Sequence, residues 1–263
     1  MMTVELLLNI TLLILTLGCS YSCPFSGSFH TLCIYRSRAC PGKTLIRSNR
    51  LTIHHKRQIV GEHNRLRALV ARGQERGLPA ASNMRMMTWD EELAQIAQRW
   101  AEQCIHKHDR NRNVGRFRVG QNIAYTRTYG YEDAFADNPD WPTQIKSWYR
   151  EYYRFGFRRQ YISPFKFKGS TGHFTQVIWG STYKIGCGYT YYRTPSRGYT
   201  KLYVCNYGPG GNTIGDTMYE VTSKPSCTRL GLRFSFQFPG LCETDGKSYT
   251  ALTLARKHSK NRS

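Results

Sequence analysis

Apolar residues recur with different periods along this chain, and each period predicts an element. The first is a short run, Leu6-Leu7-Leu8 through Leu12-Leu13-Ile14-Leu15, followed by Gly18, Cys19 and Ser20. It is too short to span a bilayer and ends in small residues, so it reads as a secretory signal peptide. The usual basic start is missing; Glu5 is its only charged side chain. No later stretch is long and apolar enough to cross a membrane. Residues 19–50 are rich in Cys, Ser, Gly and Arg and have no helical period, which predicts an arm stapled by disulfides.

From Ile53 the spacing becomes helical. Ile59, His63, Leu66 and Val70 predict a helix over 53–72, ended by Gly73, Gly77 and Pro79. Thr88-Trp89-Asp90-Glu91 has the form of a capping box, Thr followed by Glu three residues on. Leu93, Ile96, Ala97, Trp100 and Cys104 then form the apolar stripe of a core-facing helix. A loop containing His106, His108 and "GQN" at 120–122 is expected next. "DWPTQIKSWYREYYRF", 140–155, predicts a third helix, with Pro142 suited to its first turn and Ile145, Trp148, Tyr149 and Tyr152 at helical spacing. Residues 154–171 are expected to form a basic, aromatic loop.

Three β-type runs follow: "FTQVIW" (174–179), "GCGYTYYR" (186–193) and "KLYVCNYG" (201–208). The cluster Thr194-Pro195-Ser196-Arg197-Gly198 joins the last two as a hairpin. A Cys187–Cys205 bridge across neighbouring strands is geometrically reasonable. Beyond Asn212 the pattern weakens into a short stapled tail and a basic end, "RKHSKNRS". Helices early and antiparallel strands late argue for an α+β fold and not a doubly wound parallel sheet.

The chain has 263 residues, 40% hydrophobic, which suffices for a packed core and excludes global disorder. Its nine cysteines suit an oxidising compartment. No CxxC pair occurs, so a zinc finger has little support. Signal cleavage after Ser20 would leave eight cysteines, and cleavage after Gly18 would leave all nine. Spacing does not choose between them. The formal net charge of +21 predicts attraction to polyanions or anionic surfaces. A secretory signal argues against intracellular nucleic acid as a partner.

"GHFTQVIWGST", "GCG" and "LYVCNYGPGGN" resemble the two signature segments of the CAP superfamily, which groups cysteine-rich secretory proteins, antigen 5 and pathogenesis-related proteins. "EHNRLRALVARG", "MTWDEELAQIAQRWAEQC" and "VGQNIA" resemble that family in its order. The match runs from about Ile53 to Asn212. The spacing of Cys19, Cys23, Cys33 and Cys40 is similar to that in insect antigen 5 proteins of venom and saliva. This resemblance implies a signal at 1–18, an arm at 19–52, a CAP domain at 53–212 and a tail at 213–263. It implies Cys19–Cys33, Cys40–Cys104 and Cys187–Cys205 bridges; separately, Cys227 and Cys242 are expected to bridge each other and close the tail. The usual partner position of Cys23 looks like Asn111. The implied fold is a three-layer α-β-α sandwich with an antiparallel sheet.

The family's cleft carries two histidines and two acids. Its equivalents here look like His108, Gln121, Glu151 and His173, with Gln121 where many relatives carry Glu. His108, His173 and Glu151 are candidate zinc ligands, with water in an open position. Losing one carboxylate weakens cation affinity and removes a general base. No cofactor is therefore required, weak zinc binding remains open, and catalysis is not expected. A hydrogen-bonded polar cluster lining the cleft is the simpler reading. Ser170 and Thr171 precede His173, but "GSTGH" is not a Gly-x-Ser-x-Gly elbow. His63 reads as a core histidine.

Arg154, Arg158, Arg159, Lys166 and Lys168 lie in the basic-aromatic stretch and are candidate contacts for heparin-like chains or anionic lipid surfaces; a solvated face is the equal alternative. Trp148, Tyr149 and Tyr152 read instead as core. The first expectation is a secreted, non-enzymatic binding protein that engages host extracellular molecules and acts as an allergen. The alternatives are a zinc-dependent activity in the His/Glu cleft and an extracellular lipid or sterol carrier.

Overall fold

Two apolar faces of one sheet organise the chain. In the computed structural model, which describes residues 29–48, 51–130, 139–222 and 226–244, strands β1 (Thr44–Arg47), β3 (Gly120–Thr128), β4 (Lys184–Thr194) and β5 (Gly198–Gly208) run in the order β1-β4-β5-β3, all antiparallel. A short strand β2 (Thr88–Trp89) adds to β4 in parallel. Side chains alternate across a strand. Ile185, Cys187, Tyr189 and Tyr191 of β4 pack with Tyr203, Cys205 and Tyr207 of β5 against helices α2 (Ile53–Ala71), α4 (Trp141–Tyr149) and α6 (Gly172–Val177). On the other face, Tyr192, Leu202 and Val204 pack on Ala97, Trp100 and Ala101 of α3 (Glu91–Ala101). This is the expected α-β-α sandwich.

The α3 helix lies almost directly on the β4 backbone. A Cβ at Gly186 would sit 2.2 Å from Ala94 N, and one at Gly188 would sit 2.4 Å from Gln98 Cα. The "GCG" motif therefore sets the spacing of that layer, and Cys187 between the glycines bonds Cys205 directly opposite.

Several local expectations are corrected. Thr88 belongs to β2, not to a helix cap; Asp90 caps α3 by accepting from Leu93 N at 3.1 Å. Residues 120–128 form β3 and not a loop, because nine residues of polar-rich sequence pair with β5. "FTQVIW" is not a strand: Gly172–Val177 is helical. Its β-branched residues favour a strand, but the Glu151 carboxylate accepts from His173 N and Phe174 N and caps the first turn. The 140–155 helix breaks at Arg150 into α4 and α5 (Glu151–Phe155), with Asp140 accepting from Thr143 N at the start. The hairpin, the 53–72 helix and the buried Trp148, Tyr149 and Tyr152 are as expected.

The arm is more than a disulfide staple. Its helix α1 (Thr31–Ile34) docks beside α3, and β1 joins the sheet edge. Glu102 ties it down by accepting from Ser37 Oγ, Arg38 N and Ser48 Oγ. Cys40–Cys104 and Cys227–Cys242 are bonded, and Cys33 is disulfide-bonded. Cys19 and Cys23 lie outside the described residues. The tail hairpin, β6 (Arg233–Phe234) with β7 (Cys242–Glu243), returns to the domain through Met86 N to Cys242 O and Cys242 N to Met84 O, both 2.8 Å. No described helix is long and apolar enough to cross a membrane.

Candidate functional site

The cleft residues fall into two hydrogen-bonded pairs. The first is Glu151 with His173. Glu151 opens α5, and its Oε1 lies 2.5 Å from His173 Nδ1. Its Oε2 accepts from His173 N at 3.0 Å and Phe174 N at 3.2 Å. Both carboxylate oxygens are thus committed to one end of α6. The His173 ring stacks on Trp148, centroids 6.0 Å apart. Its carbonyl accepts from Asn122 Nδ2 at 3.1 Å, which ties the helix to β3.

The second pair is His108 with Gln121. Gln121 Oε1 accepts from Asp109 N at 2.9 Å and lies 3.2 Å from His108 Nδ1. An amide oxygen can only accept, so His108 carries its proton on Nδ1 and presents the Nε2 lone pair. Burial is the main cause holding the His108 pKa below its ordinary value, and charge on Arg112 and on His173 adds to it. Burial thus favours the neutral form of the His108 ring.

Beneath the cleft runs a relay that the sequence pattern did not reveal. His63, expected as core, is fully buried on α2. Its Nδ1 donates to Ile59 O at 2.7 Å, so its Nε2 accepts from Tyr207 Oη at 2.9 Å. Asn122 Nδ2 donates to the same Tyr207 oxygen at 3.2 Å. Burial pushes the His63 pKa down to about 4, so it stays neutral. The only advance signal was the apolar-face position of His63 and the family-like "VGQNIA".

The Nδ1 contacts of His108 and His173 leave their Nε2 atoms as the ring nitrogens open to a metal ion, while both Glu151 oxygens are committed. Glu151 orients His173 from behind, as an outer-shell acid does. Among the described residues, no group of three His, Cys, Asp or Glu side chains is placed to hold a metal. Ser170 Oγ and Thr171 Oγ1 make no hydrogen bond to His173, and Thr171 Oγ1 donates to Lys168 O instead. The basic residues Arg154, Arg158, Arg159, Lys166 and Lys168 are all exposed. Lys146, Arg150 and Arg154, at one-turn spacing, line an open groove beside Glu151 and extend that surface toward the cleft.

Residues 60–207 match the cysteine-rich secretory protein (CAP) family model. The chain belongs to the CAP family. Venom allergen 3 of Solenopsis invicta is 43% identical over 213 residues, covering 76% of this chain and 87% of that CAP relative. Venom allergen 5 of Tityus serrulatus is 40% identical over 226 residues, 81% of this chain, but the match spans only 52% of that longer protein. These relatives put the chain in the antigen 5-like, venom allergen branch of the CAP family. Among solved CAP structures, one described as NaASP2 with Zn2+ superposes with a TM-score of 0.58 at 28% identity, covering 75% of this chain and 99% of that one.

Proposed function

We propose that this antigen 5-like protein is secreted and works by binding host extracellular molecules, without catalysis. One observation carries the reading: among the described residues, no free carboxylate stands beside the two histidines. Gln121 is neutral, with its amide oxygen and nitrogen both hydrogen-bonded, and both Glu151 oxygens serve α6. Glu151 is already bonded to His173 Nδ1 and to two backbone amides, and the group beside His108 is a neutral amide, so no second carboxylate is left to work with the Glu151–His173 pair. The Nδ1 side of each imidazole is held in a polar cluster that shapes a surface.

The exposed segment 154–168 supplies the binding chemistry. It carries five cations and no acid, next to the half-exposed Tyr153, Phe155 and Phe167. Sulfated, heparin-like chains are the partner class that fits. The test is heparin chromatography of the full chain and of a variant with Arg154, Arg158, Arg159, Lys166 and Lys168 all changed to Gln. The variant should elute at clearly lower salt. Equal elution would overturn the assignment of this surface.

Weak zinc binding is a second reading, favoured by the two unbonded Nε2 atoms on His108 and His173. The solved relative described with Zn2+ supports it. Calorimetric zinc titration of the wild type, His108→Ala and His173→Ala tests it. Equal uptake by all three removes the site.

A further inference from the structure

Away from the cleft, three basic side chains from separate parts of the chain gather around two tyrosines, and the charge of a fourth, Arg197, reaches Lys43. Lys43 precedes β1, His106 follows α3, Arg127 lies near the end of β3, and Arg197 sits in the β4–β5 turn. Arg127 Nη2 donates to His106 Nδ1 at 3.5 Å, so the opposite nitrogen carries the proton and donates to the Tyr192 hydroxyl. The neutral His106 ring stacks on Tyr125, centroids 4.2 Å apart and 14° between planes. The Arg127 guanidinium lies 4.6 Å from the same Tyr125 ring, and Lys43 Nζ lies 5.1 Å from the Tyr192 ring.

Among the described residues, no salt bridge joins a carboxylate to these charges. Burial and then Arg127 and Arg197 lower Lys43. No carboxylate of the described residues acts on Lys43. Like charges held together without a counter-charge repel, and an anion between them would relieve that. A second observation points the same way. Arg127 Nε is buried and has no hydrogen-bond partner among the described residues. A small turn of the side chain toward an arriving oxyanion would restore that lost bond.

We propose that Lys43, Arg127 and Arg197 form a site for one tetrahedral oxyanion, a sulfate or phosphate group. The exposed Tyr125 ring walls one side. This site is separate in residues from the 154–168 surface and stands or falls independently of it. The group is either a free ion or the sulfate ester of a small sugar.

The full chain, isotope-labelled, is titrated by NMR with sodium sulfate, sodium phosphate and glucosamine 6-sulfate, each against sodium chloride at equal ionic strength. Saturable shifts of the His106 ring signals are expected. Arg127→Gln should bind about tenfold more weakly, the loss of one charge-assisted contact. Arg197→Gln, on an exposed turn, should weaken binding without disturbing the fold, while Arg229→Gln in the tail should bind as wild type. A response to the sugar ester identifies a sulfated ligand, and a response to inorganic ions alone identifies a free ion. Shifts that follow ionic strength in every arm, or unchanged binding by both Arg127→Gln and Arg197→Gln, would overturn the site.

Discussion

Gln121 and Asn206 stand opposite each other on β3 and β5, and Gln121 Nε2 donates to Asn206 Oδ1 at 2.9 Å. Asn206 cannot reverse its amide freely, because its Nδ2 donates to Leu93 O on α3 at 3.3 Å. Gln121 Oε1 already accepts from Asp109 N. An amide meets both demands, and a carboxylate does not. Gln121→Glu would set an oxygen against Asn206 Oδ1. Asn206 must then turn and abandon Leu93, or the new acid must hold a proton. Urea unfolding should show a loss of about 1–3 kcal/mol, the usual cost of a buried polar group left unpaired. NMR titration should show the His108 pKa rising beside the added charge. Unchanged stability would mean that Asn206 does not enforce the amide.

His63 gives a pH dependence with a definite sign. Its pKa is about 4 in the folded state, against an ordinary value of 6.5, because burial disfavours the charged ring. The unfolded chain therefore binds the proton first. Stability is complete above pH 6.5 and is lost as pH falls toward 4. That gap corresponds to about 3 kcal/mol. His106, also lowered to about 4, acts in the same direction. The specific check is the His63 ring signal, which should stay in its neutral position at pH 5. Titration of that signal near 6.5 would refute the buried neutral ring.

These two residues mark how far the sequence reaches. His63 was legible because it falls on the apolar face of a long helix, and the Cys187–Cys205 hairpin was legible from two β-type runs and a turn cluster. The α3 stripe was legible too, but its cap was misplaced by two residues because pairing of Thr88 with Lys184 is a long-range fact. The β3 strand was missed because Gln121, Asn122, Thr126 and Arg127 obscure its alternation, and its partner β5 comes some eighty residues later. The α6 helix was missed because its cap is supplied by Glu151, outside the segment. The cleft residues came from resemblance to a family and not from spacing. Their hydrogen bonds to Asn206, Asn122 and Asp109 depend on the folded register.

Glu151 tests the α6 cap directly. Its two oxygens serve three donors: His173 Nδ1, His173 N and Phe174 N. Glu151→Gln keeps the shape but replaces one acceptor by an NH2 that faces donors. Charge-assisted bonds are the stronger class, so a loss of about 1.5–3 kcal/mol is expected in denaturant unfolding. Hydrogen exchange should localise it: the amides of His173 and Phe174 should exchange faster than in wild type, beyond any change in the β4–β5 hairpin. Uniform change across both regions would mean that Glu151 does not act as a local cap.

Two glycines should respond to the same substitution with opposite signs. Gly188 lies on β4 beneath α3, where a methyl group would meet Gln98 Cα at 2.4 Å and Ala97 C at 2.7 Å. Those are backbone atoms and cannot swing away, so Gly188→Ala must lift the helix. Overpacking of this kind costs about 1–3 kcal/mol. Gly61 lies within α2, and a Cβ there meets nothing within 4 Å. Gly61→Ala should stabilise by about 0.4–1 kcal/mol, because it narrows the unfolded ensemble and favours helix. Thermal and urea unfolding of both variants decide the matter together. If Gly188→Ala is tolerated as well as Gly61→Ala, the "GCG" segment does not set the distance between the α3 layer and the sheet.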